Sequence, residues 1–573
     1  MRIAGTHGPA SLRQKHQLLD RDLPFIQLSS VKKLPIGIQT FSEIRTGNYY
    51  YVDKTKVLSE LTESGKYYFL SRPRRFGKSL FLDTLREAFL GSKEYFKGLY
   101  LEHNWDWTTK HPVIRIDFGT GHLRTASELD QRILEILNEH AAKNSVSFKN
   151  ESISGKFREL IMALQEKNSE KVVVLIDEYD KPILDNITDK PLAREMRDGL
   201  RNLYSVIKGA DAYIKFAFIT GVSKFSPLSS PLLGGTVGGS GLNNLQDITL
   251  DERYATVCGY TDNELSVFLE RLEDVNRDKL KLWYNGYSFL GDRVYNPFDI
   301  LLFLDQKKYK SYWFETGNPS FLIDLIREKN YNSININKVR LTDSALSSFD
   351  VDSIELENLL FQTGYLTIKS IREMHANRVY YLQYPNLEVR SSLTDVILTY
   401  LAKDTQPKEI NKVDLYDALQ ENDLSKLKNI FYSFFASIPY DWYRKNTIAQ
   451  YEGYYASIFY CYFTALGLDV RAEDVTNQGQ ADLTVFFEDR VYVFEFKVIE
   501  MTEAGSALQQ IKDKRYYEKY LTGSAETGFK SVSPDDFAGK HSRASLQQEN
   551  IYLIGVEFSR DSRNITNYEW EKV

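Results

Sequence analysis

Cysteine is nearly absent. Cys258 and Cys461 are the two in 573 residues; they lie far apart and belong to no ligand cluster, which disfavours a disulfide framework and a structural zinc site. A reducing, cytoplasmic compartment is the expectation. Long hydrophobic runs are missing as well. No stretch approaches the length of a membrane span, and Met1-Arg-Ile-Ala-Gly-Thr-His7 has no apolar signal core, so neither insertion nor secretion is expected. Nor is there an excess of positive charge: 72 Lys and Arg against 78 Asp and Glu leave a formal net charge of −6. That argues against a chain coated in nucleic acid, yet it permits a local basic groove. What is abundant is aromatic, with 38 Tyr and 33 Phe, accounted for by large cores and amphipathic surface tyrosines, with base stacking as the lesser alternative. The length exceeds what one core supports and suggests about three domains.

The segment Tyr67-Tyr-Phe-Leu-Ser-Arg72-Pro-Arg74-Arg75-Phe-Gly77-Lys78-Ser79-Leu80 reads as an apolar strand, a tight basic loop and an amphipathic helix. That is the context of a phosphate-binding P-loop, in which loop amides and the helix N-terminus surround the phosphates. Lys78 would reach the terminal phosphates, and the Ser79 hydroxyl would hold Mg²⁺. Arg74, Arg75 and Gly77 complete the candidate nucleotide-binding set. Arg72 stands where the general pattern has its first glycine, so the loop's path must differ in detail. Further on, Lys171-Val-Val-Val-Leu-Ile-Asp177-Glu178 is a buried-type strand ending in carboxylates, the form of a Walker B strand. Asp177 could hold the Mg²⁺ through water, and Glu178 could orient or polarise the attacking water. The alternative for the GKS triplet alone is a helix N-terminus with a surface lysine.

Read in order, residues 1–32 form an extension and residues 33–250 a P-loop domain. Between Leu34 and the P-loop strand, short β-type runs alternate with helical ones. Phe81, Leu85, Ala88 and Phe89 share one helix face. His111–Phe118 is the next strand, with helices over 127–140 and 155–167, and this alternation implies a mainly parallel sheet with ligands at its C-terminal edge. Arg194, Arg197 and Arg201 read as a solvated helix face rather than an arginine finger. Thr220 and Ser223, ending a later strand, are candidates to sense a γ-phosphate. Pro227–Gly241, rich in glycine and uncharged, reads as a flexible loop. Residues 251–400 form a helical and winged-helix-like region, with a helix at 355–363, strands at 365–368 and 379–384, and a helix from Asn386; packing against the core is favoured over DNA binding. A helical linker spans 401–445.

Residues 446–573 read as helix, strand, strand, strand, helix, strand. In the hairpin Asp482–Phe487, Glu488-Asp489-Arg490, Val491–Val498, Glu495 and Lys497 project from one face, with Cα atoms roughly 7 Å apart. A short turn near Asp489 would bring Asp482 beside Glu495. Two carboxylates about 4 Å apart repel by on the order of 4 kcal/mol at intermediate dielectric, and a divalent cation would relieve this. Oxygen ligands point to Mg²⁺ or Mn²⁺, suited to phosphodiester cleavage, with Lys497 steadying the nucleophile or the charge on phosphorus. Asp482 and Glu495 would hold the metal, with Glu452 upstream and Gln510 on the following helix assisting. An ordinary cross-face Glu/Lys pair is the alternative.

From Lys33 to about Asp185, with Arg72–Ser79 and Ile176-Asp-Glu-Tyr-Asp180, the chain resembles the bacterial AAA-ATPase-like family. Trp313-Phe-Glu-Thr-Gly317 and Phe361-Gln-Thr-Gly-Tyr365 resemble its later blocks, and the C-terminal segment is similar to the PD-(D/E)xK nuclease superfamily. The resemblance implies an α/β fold: a P-loop ATPase domain, a helical and winged-helix-like middle and a C-terminal αβββαβ restriction-endonuclease-like domain. Arg at position 72 is usual in that family, whereas the Pro227–Gly241 stretch departs from it, and Gln480 stands where arginine is common. The resemblance implies Asp482 and Glu495 as metal ligands, Lys497 as the catalytic lysine, and Glu452 and Gln510 as auxiliary residues. The expected function is an ATP-regulated nuclease acting on nucleic acid, DNA foremost, with ATP and Mg²⁺ (or Mn²⁺) as cofactors, no membrane partner, and homo-oligomerisation left open. An ATP-switched binding regulator with a non-cleaving nuclease fold, or an ATPase whose last domain contacts proteins, are the competing classes.

Overall fold

A computed structural model describes residues 32–573 apart from 225–244, 318–324, 326–338, 348–350, 352–354, 376, 403–404, 439–451, 501–504 and 522–549. Residues 1–31 and the Pro227–Gly241 stretch thus lie outside the described residues. Among the described residues no helix is long and apolar enough to cross a membrane.

The first half is built on five parallel strands: β1 (Tyr67–Ser71), β2 (Val113–Asp117), β3 (Val172–Asp177), β4 (Ile214–Gly221) and β5 (Gln246–Asp247), ordered β2-β3-β4-β1-β5. β1 and β3 are continuous apolar runs because both their faces are covered, and every residue in them is buried. The helices Ala126–Lys143, Ile153–Asn168 and Lys190–Gly209 pack on one another, while the helix Lys78–Leu90 lies against β2, β3 and β4. On that helix Phe81, Leu85, Ala88 and Phe89 are all buried, as the spacing requires. Parallel strands bring Ser71, Asp117, Asp177 and Gly221 to one edge. The expected β-type runs before β1 are corrected. The helices Phe41–Thr46 and Thr55–Ser64 form, but Lys33 and Tyr49 make only an isolated bridge. Tyr50 is buried there against the ring of Phe268 at 5.2 Å, so packing rather than strand pairing explains its apolar spacing.

The middle carries a short ribbon of β6 (Tyr260–Thr261) and β7 (Val294–Tyr295), then β8 (Arg340–Thr342), β9 (Thr367–Glu373) and β10 (Arg378–Gln383) in the antiparallel order β8-β10-β9. With the helices Leu356–Thr363 and Leu387–Ala402 on either side, the helix-strand-strand-helix order expected for this stretch is present. One boundary differs: Lys369–Glu373 continue β9 instead of forming a charged turn. β9 is an edge strand, and those five residues are exposed, where charged side chains are tolerated and discourage further pairing.

The C-terminal sheet is β11 (Asp469–Val475), β12 (Gln480–Phe487), β13 (Arg490–Val498), β14 (Ile551–Ser559) and β15 (Asn564–Lys572), ordered as in the chain, with only β13 and β14 parallel. The helix Ser506–Asp513 makes the parallel crossover. β15 extends the expected αβββαβ order; its Glu569, Glu571 and Lys572 are exposed while Ile565 and Tyr568 face the core. The helix Glu452–Ala465 lies between the helix Leu387–Ala402 and the sheet β11–β13. It is buried on all sides from Tyr454 to Phe463, with Phe459 stacked on Phe431 at 3.6 Å and Tyr455 on Phe558 at 4.0 Å. A continuous apolar core joins the parallel sheet to this one.

Candidate functional site

The loop between β1 and the helix Lys78–Leu90 turns on left-handed residues, Arg75 (φ +66°) and Gly77 (φ +94°), the backbone pattern of an anion-binding nest. Gly77 N-caps the helix in a conformation that L side chains rarely adopt. Lys78 is 6% exposed, and its Nζ donates to the carbonyls of Arg72 and Pro73 at 2.9 Å each. Burial lowers its pKa, opposed by the nearby Glu178 and Asp177 carboxylates. The Arg75 guanidinium lies over Phe298, 4.9 Å from the ring centroid, and Arg74 exerts its charge on Glu178.

Arg72 explains how the loop keeps its shape without the usual glycine. Its side chain is fully buried and leaves the loop altogether, donating to the carbonyls of Ser71 (2.8 Å), Thr249 (2.9 Å), Tyr254 (3.1 Å) and Ala255 (3.4 Å), with Phe289 at 3.9 Å. Burial pulls its pKa down to about 10, so it stays charged at neutral pH. A buried cation with four carbonyl partners and an aromatic face is compensated. The Arg72 position thus anchors the loop from outside rather than by backbone freedom.

Across the edge, the Ser79 hydroxyl interacts favourably with the Asp177 carboxylate, which is 1% exposed. Burial raises the pKa of Asp177 and also that of Glu178, which Lys78 partly offsets. Glu178 sits at φ +47°, a conformation costing about 1 kcal/mol or more outside glycine and concentrated at functional positions. Sequence reasoning passed over Asp117. It is paired with Asp177 in the register of β2 and β3, and Arg115 lies among Asp83 (3.2 Å), Asp117 (3.4 Å) and Asp177 (3.5 Å). The signal was a strand ending in a carboxylate at the edge where a parallel sheet gathers ligands. The proposed sensing hydroxyls are engaged: Thr220 donates to the Leu70 carbonyl at 2.9 Å, and Ser223 donates to Asp180 at 2.6 Å. Arg197 contacts Asp198 at 3.1 Å, on the helix that also carries Arg194 and Arg201.

The second site lies on the β12–β13 hairpin. Phe487 pairs with Arg490 across the turn Glu488-Asp489, and the same register continued places Asp482 opposite Glu495. The Asp482 carboxylate accepts the Phe496 N–H at 2.8 Å. Glu495 is 1% exposed; its Oε1 accepts from Lys497 Nζ at 3.1 Å and from Gln510 Nε2, which also reaches the Tyr516 hydroxyl at 3.3 Å. Its Oε2 has no hydrogen-bond partner. Burial first, then the Asp482 carboxylate, push the Glu495 pKa up to about 8 against the pull of Lys497. Among the described residues no group of three or more His, Cys, Asp or Glu could hold a metal ion. Asp482 and Glu495 offer two carboxylates, a donor set that would suit Mg²⁺, an ion that keeps several waters and takes few protein oxygens. An orphaned buried carboxylate oxygen fits such a cation. Glu452 opens the helix Glu452–Ala465, and its side chain lies outside the described residues. Gln480 starts β12 exposed.

Residues 35–229 match a family model described as predicted AAA-ATPase, and residues 450–532 match the PD-(D/E)XK nuclease superfamily. A protein of Azotobacter chroococcum mcd 1, described as "Uncharacterized protein in vnfD 5'region", is 49% identical over 546 residues, covering 95% of this chain and 100% of the relative. The chain belongs to the AAA-ATPase-like family. Its nuclease-superfamily match spans the β12–β13 hairpin and the helix bearing Gln510, and its ATPase-like match spans β1 through β4.

Proposed function

We propose that this protein is a P-loop ATPase that couples ATP binding and hydrolysis to metal-dependent cleavage of nucleic acid, DNA foremost. The units would be 33–250, 251–400, a linker 401–445 and 446–573. The observation that carries the nuclease reading is Glu495, buried beside Asp482 with one oxygen unsatisfied and the other held by Lys497 and Gln510. Asp482 and Glu495 would hold a Mg²⁺ or Mn²⁺ ion. When bound, the ion supplies charge neutralisation at the scissile phosphate. Lys497, held at Glu495, donates toward the charge developing on phosphorus, and Gln510 fixes the Glu495 carboxylate in one orientation. Glu452 would assist from the adjoining helix.

In the ATPase half, Lys78 would exchange the Arg72 and Pro73 carbonyls for the terminal phosphates, with loop amides from Arg74 to Gly77 around them. Ser79 and Asp177 would hold the Mg²⁺ of the nucleotide. Glu178 would orient water for attack on the γ-phosphate, its raised pKa being lowered by the approach of Lys78 or a cation. Incubating supercoiled plasmid with Mg²⁺ or Mn²⁺ tests the reading: cleavage by wild type that is lost in Glu495→Ala supports it. No cleavage with either metal, with ATP hydrolysis intact, would overturn the nuclease assignment in favour of an ATP-switched binding protein.

A further inference from the structure

Two blocks singled out in the sequence, Trp313–Gly317 and Phe361–Tyr365, meet at the nucleotide loop. Trp313 is fully buried, and its indole Nε1 donates to the Arg74 carbonyl at 3.1 Å. Gly364 ends the helix Leu356–Thr363 at φ +92°, and a Cβ there would stand 2.7 Å from the Pro73 ring, so only glycine lets that helix end rest on the loop. The Tyr365 ring holds the Trp313 indole from the side, with centroids 5.1 Å apart.

Trp313 is also tied to a second element. Its backbone N–H donates to Glu388 Oε1 at 2.9 Å, and the neighbouring Ser311 hydroxyl accepts from Ser392 at 2.8 Å. Glu388 and Ser392 lie in the first turns of the helix Leu387–Ala402, which packs along the helix Glu452–Ala465 behind the β11–β13 sheet. Arg390, on the same helix, donates to the Leu468 carbonyl at 2.6 Å, where the chain enters β11. An unbroken series of contacts therefore runs from the Arg74 carbonyl to the back of the Asp482–Glu495 hairpin.

We propose that Trp313 is the pivot of a relay: occupancy of the loop is felt at the Arg74 carbonyl, passed to the helix Leu387–Ala402, and delivered to the helix Glu452–Ala465. This rests on the loop being the nucleotide site. The differential interaction it needs would come from Lys78, whose ammonium holds the carbonyls of Arg72 and Pro73; an entering phosphate would draw it away, so the carbonyls beside Arg74 would lose their donor only in the occupied state.

Hydrogen exchange on the full chain, with and without saturating MgADP or MgATP, tests the relay alongside a nucleotide-binding titration. In wild type, exchange within 387–402 and 452–465 should change by about fivefold or more on binding. Trp313→Phe keeps the ring against Tyr365 and removes the indole donor; it should bind nucleotide more weakly and, at saturation, lose the change at 452–465. Arg390→Met, remote from the loop, should bind nucleotide as wild type does while losing most of the change at 452–465. It keeps the test decisive if Trp313→Phe does not fold. Nucleotide binding with no change at 452–465 in wild type, or a full change in both variants, would overturn the relay and leave the nucleotide site standing. No nucleotide binding by wild type would overturn the site and the relay with it.

Discussion

The two candidate sites are built on opposite plans. At the hairpin, Asp482, Glu495 and Lys497 stand on adjacent strands joined by a two-residue turn, and one following helix adds Gln510. At the candidate nucleotide loop, the groups proposed to act come from two separate strand ends, β1 and β3, and the loop's shape is imposed by distant residues: Thr249, Tyr254 and Ala255 around Arg72, Trp313 on Arg74 and Gly364 under Pro73. A site made within one hairpin carries its own geometry. A site made by long-range packing depends on the middle region, and this dependence gives that region influence over it.

The contrast can be broken or sharpened experimentally. The largest effect is expected at the hairpin: Glu495→Gln should lower metal-dependent cleavage by about a hundredfold or more, since an oxygen ligand and the Lys497 contact are weakened. Because burial and Asp482 already disfavour the charged form of Glu495, replacing it with a neutral amide should leave the same variant melting no lower than wild type in metal-free buffer, as calorimetry would show. Next, Arg72→Gly, which restores the general loop pattern, should lower stability by on the order of 3 kcal/mol and weaken nucleotide binding, because four carbonyls lose their donor. A denaturant titration that found Arg72→Gly as stable as wild type would break the account of external anchoring. Gly364→Ala should cost about 1–2 kcal/mol through its left-handed backbone and the Pro73 contact, with nucleotide affinity falling about tenfold and the hairpin chemistry retained when ATP is absent.

The smallest effect concerns the fully buried carboxyls Asp299 and Glu388 beneath Trp313. Burial pushes Asp299 up to about 7 and, with the Asp299 charge added, pushes Glu388 well above its ordinary range. Acids whose pKa is raised by folding stabilise fully below their unfolded values, about pH 4, and lose that contribution as pH rises through the folded values. Asp299→Asn, whose amide can donate to Glu388 without titrating, should therefore gain on wild type by about 1 kcal/mol between pH 5 and pH 8, read from paired thermal melts. An unchanged gap over that range would contradict the raised pKa of the buried pair.

The same contrast governs what could be read from the residues. Period-two alternation and a short turn fix a hairpin register locally, so Asp482, Glu495 and Lys497 could be brought together on paper. The β1 and β3 runs, with Lys78, Ser79 and Asp177 at their ends, were legible because both faces of a parallel sheet are buried. Asp117 was legible only as a strand-end carboxylate, and its place beside Asp177 was not, since nothing local says which strand lies beside β3. Arg72 read as a missing glycine because its partners lie about 180 residues downstream. The engagement of Ser223 with Asp180 likewise exists only once β3 and β4 are adjacent. β15 escaped because an edge strand with charges on its open face has the composition of a polar tail.

One paired assay bears most directly on the proposed coupling of an ATPase to a nuclease: ATP hydrolysis and cleavage of single-stranded DNA, duplex DNA and RNA, measured on the same preparations of wild type, Lys78→Ala and Lys497→Ala with Mg²⁺ or Mn²⁺. The account predicts that Lys497→Ala loses cleavage and keeps hydrolysis, while Lys78→Ala loses hydrolysis and also loses the effect of ATP on cleavage. Cleavage that responds to ATP identically in Lys78→Ala and wild type, or that survives in Lys497→Ala, would contradict it.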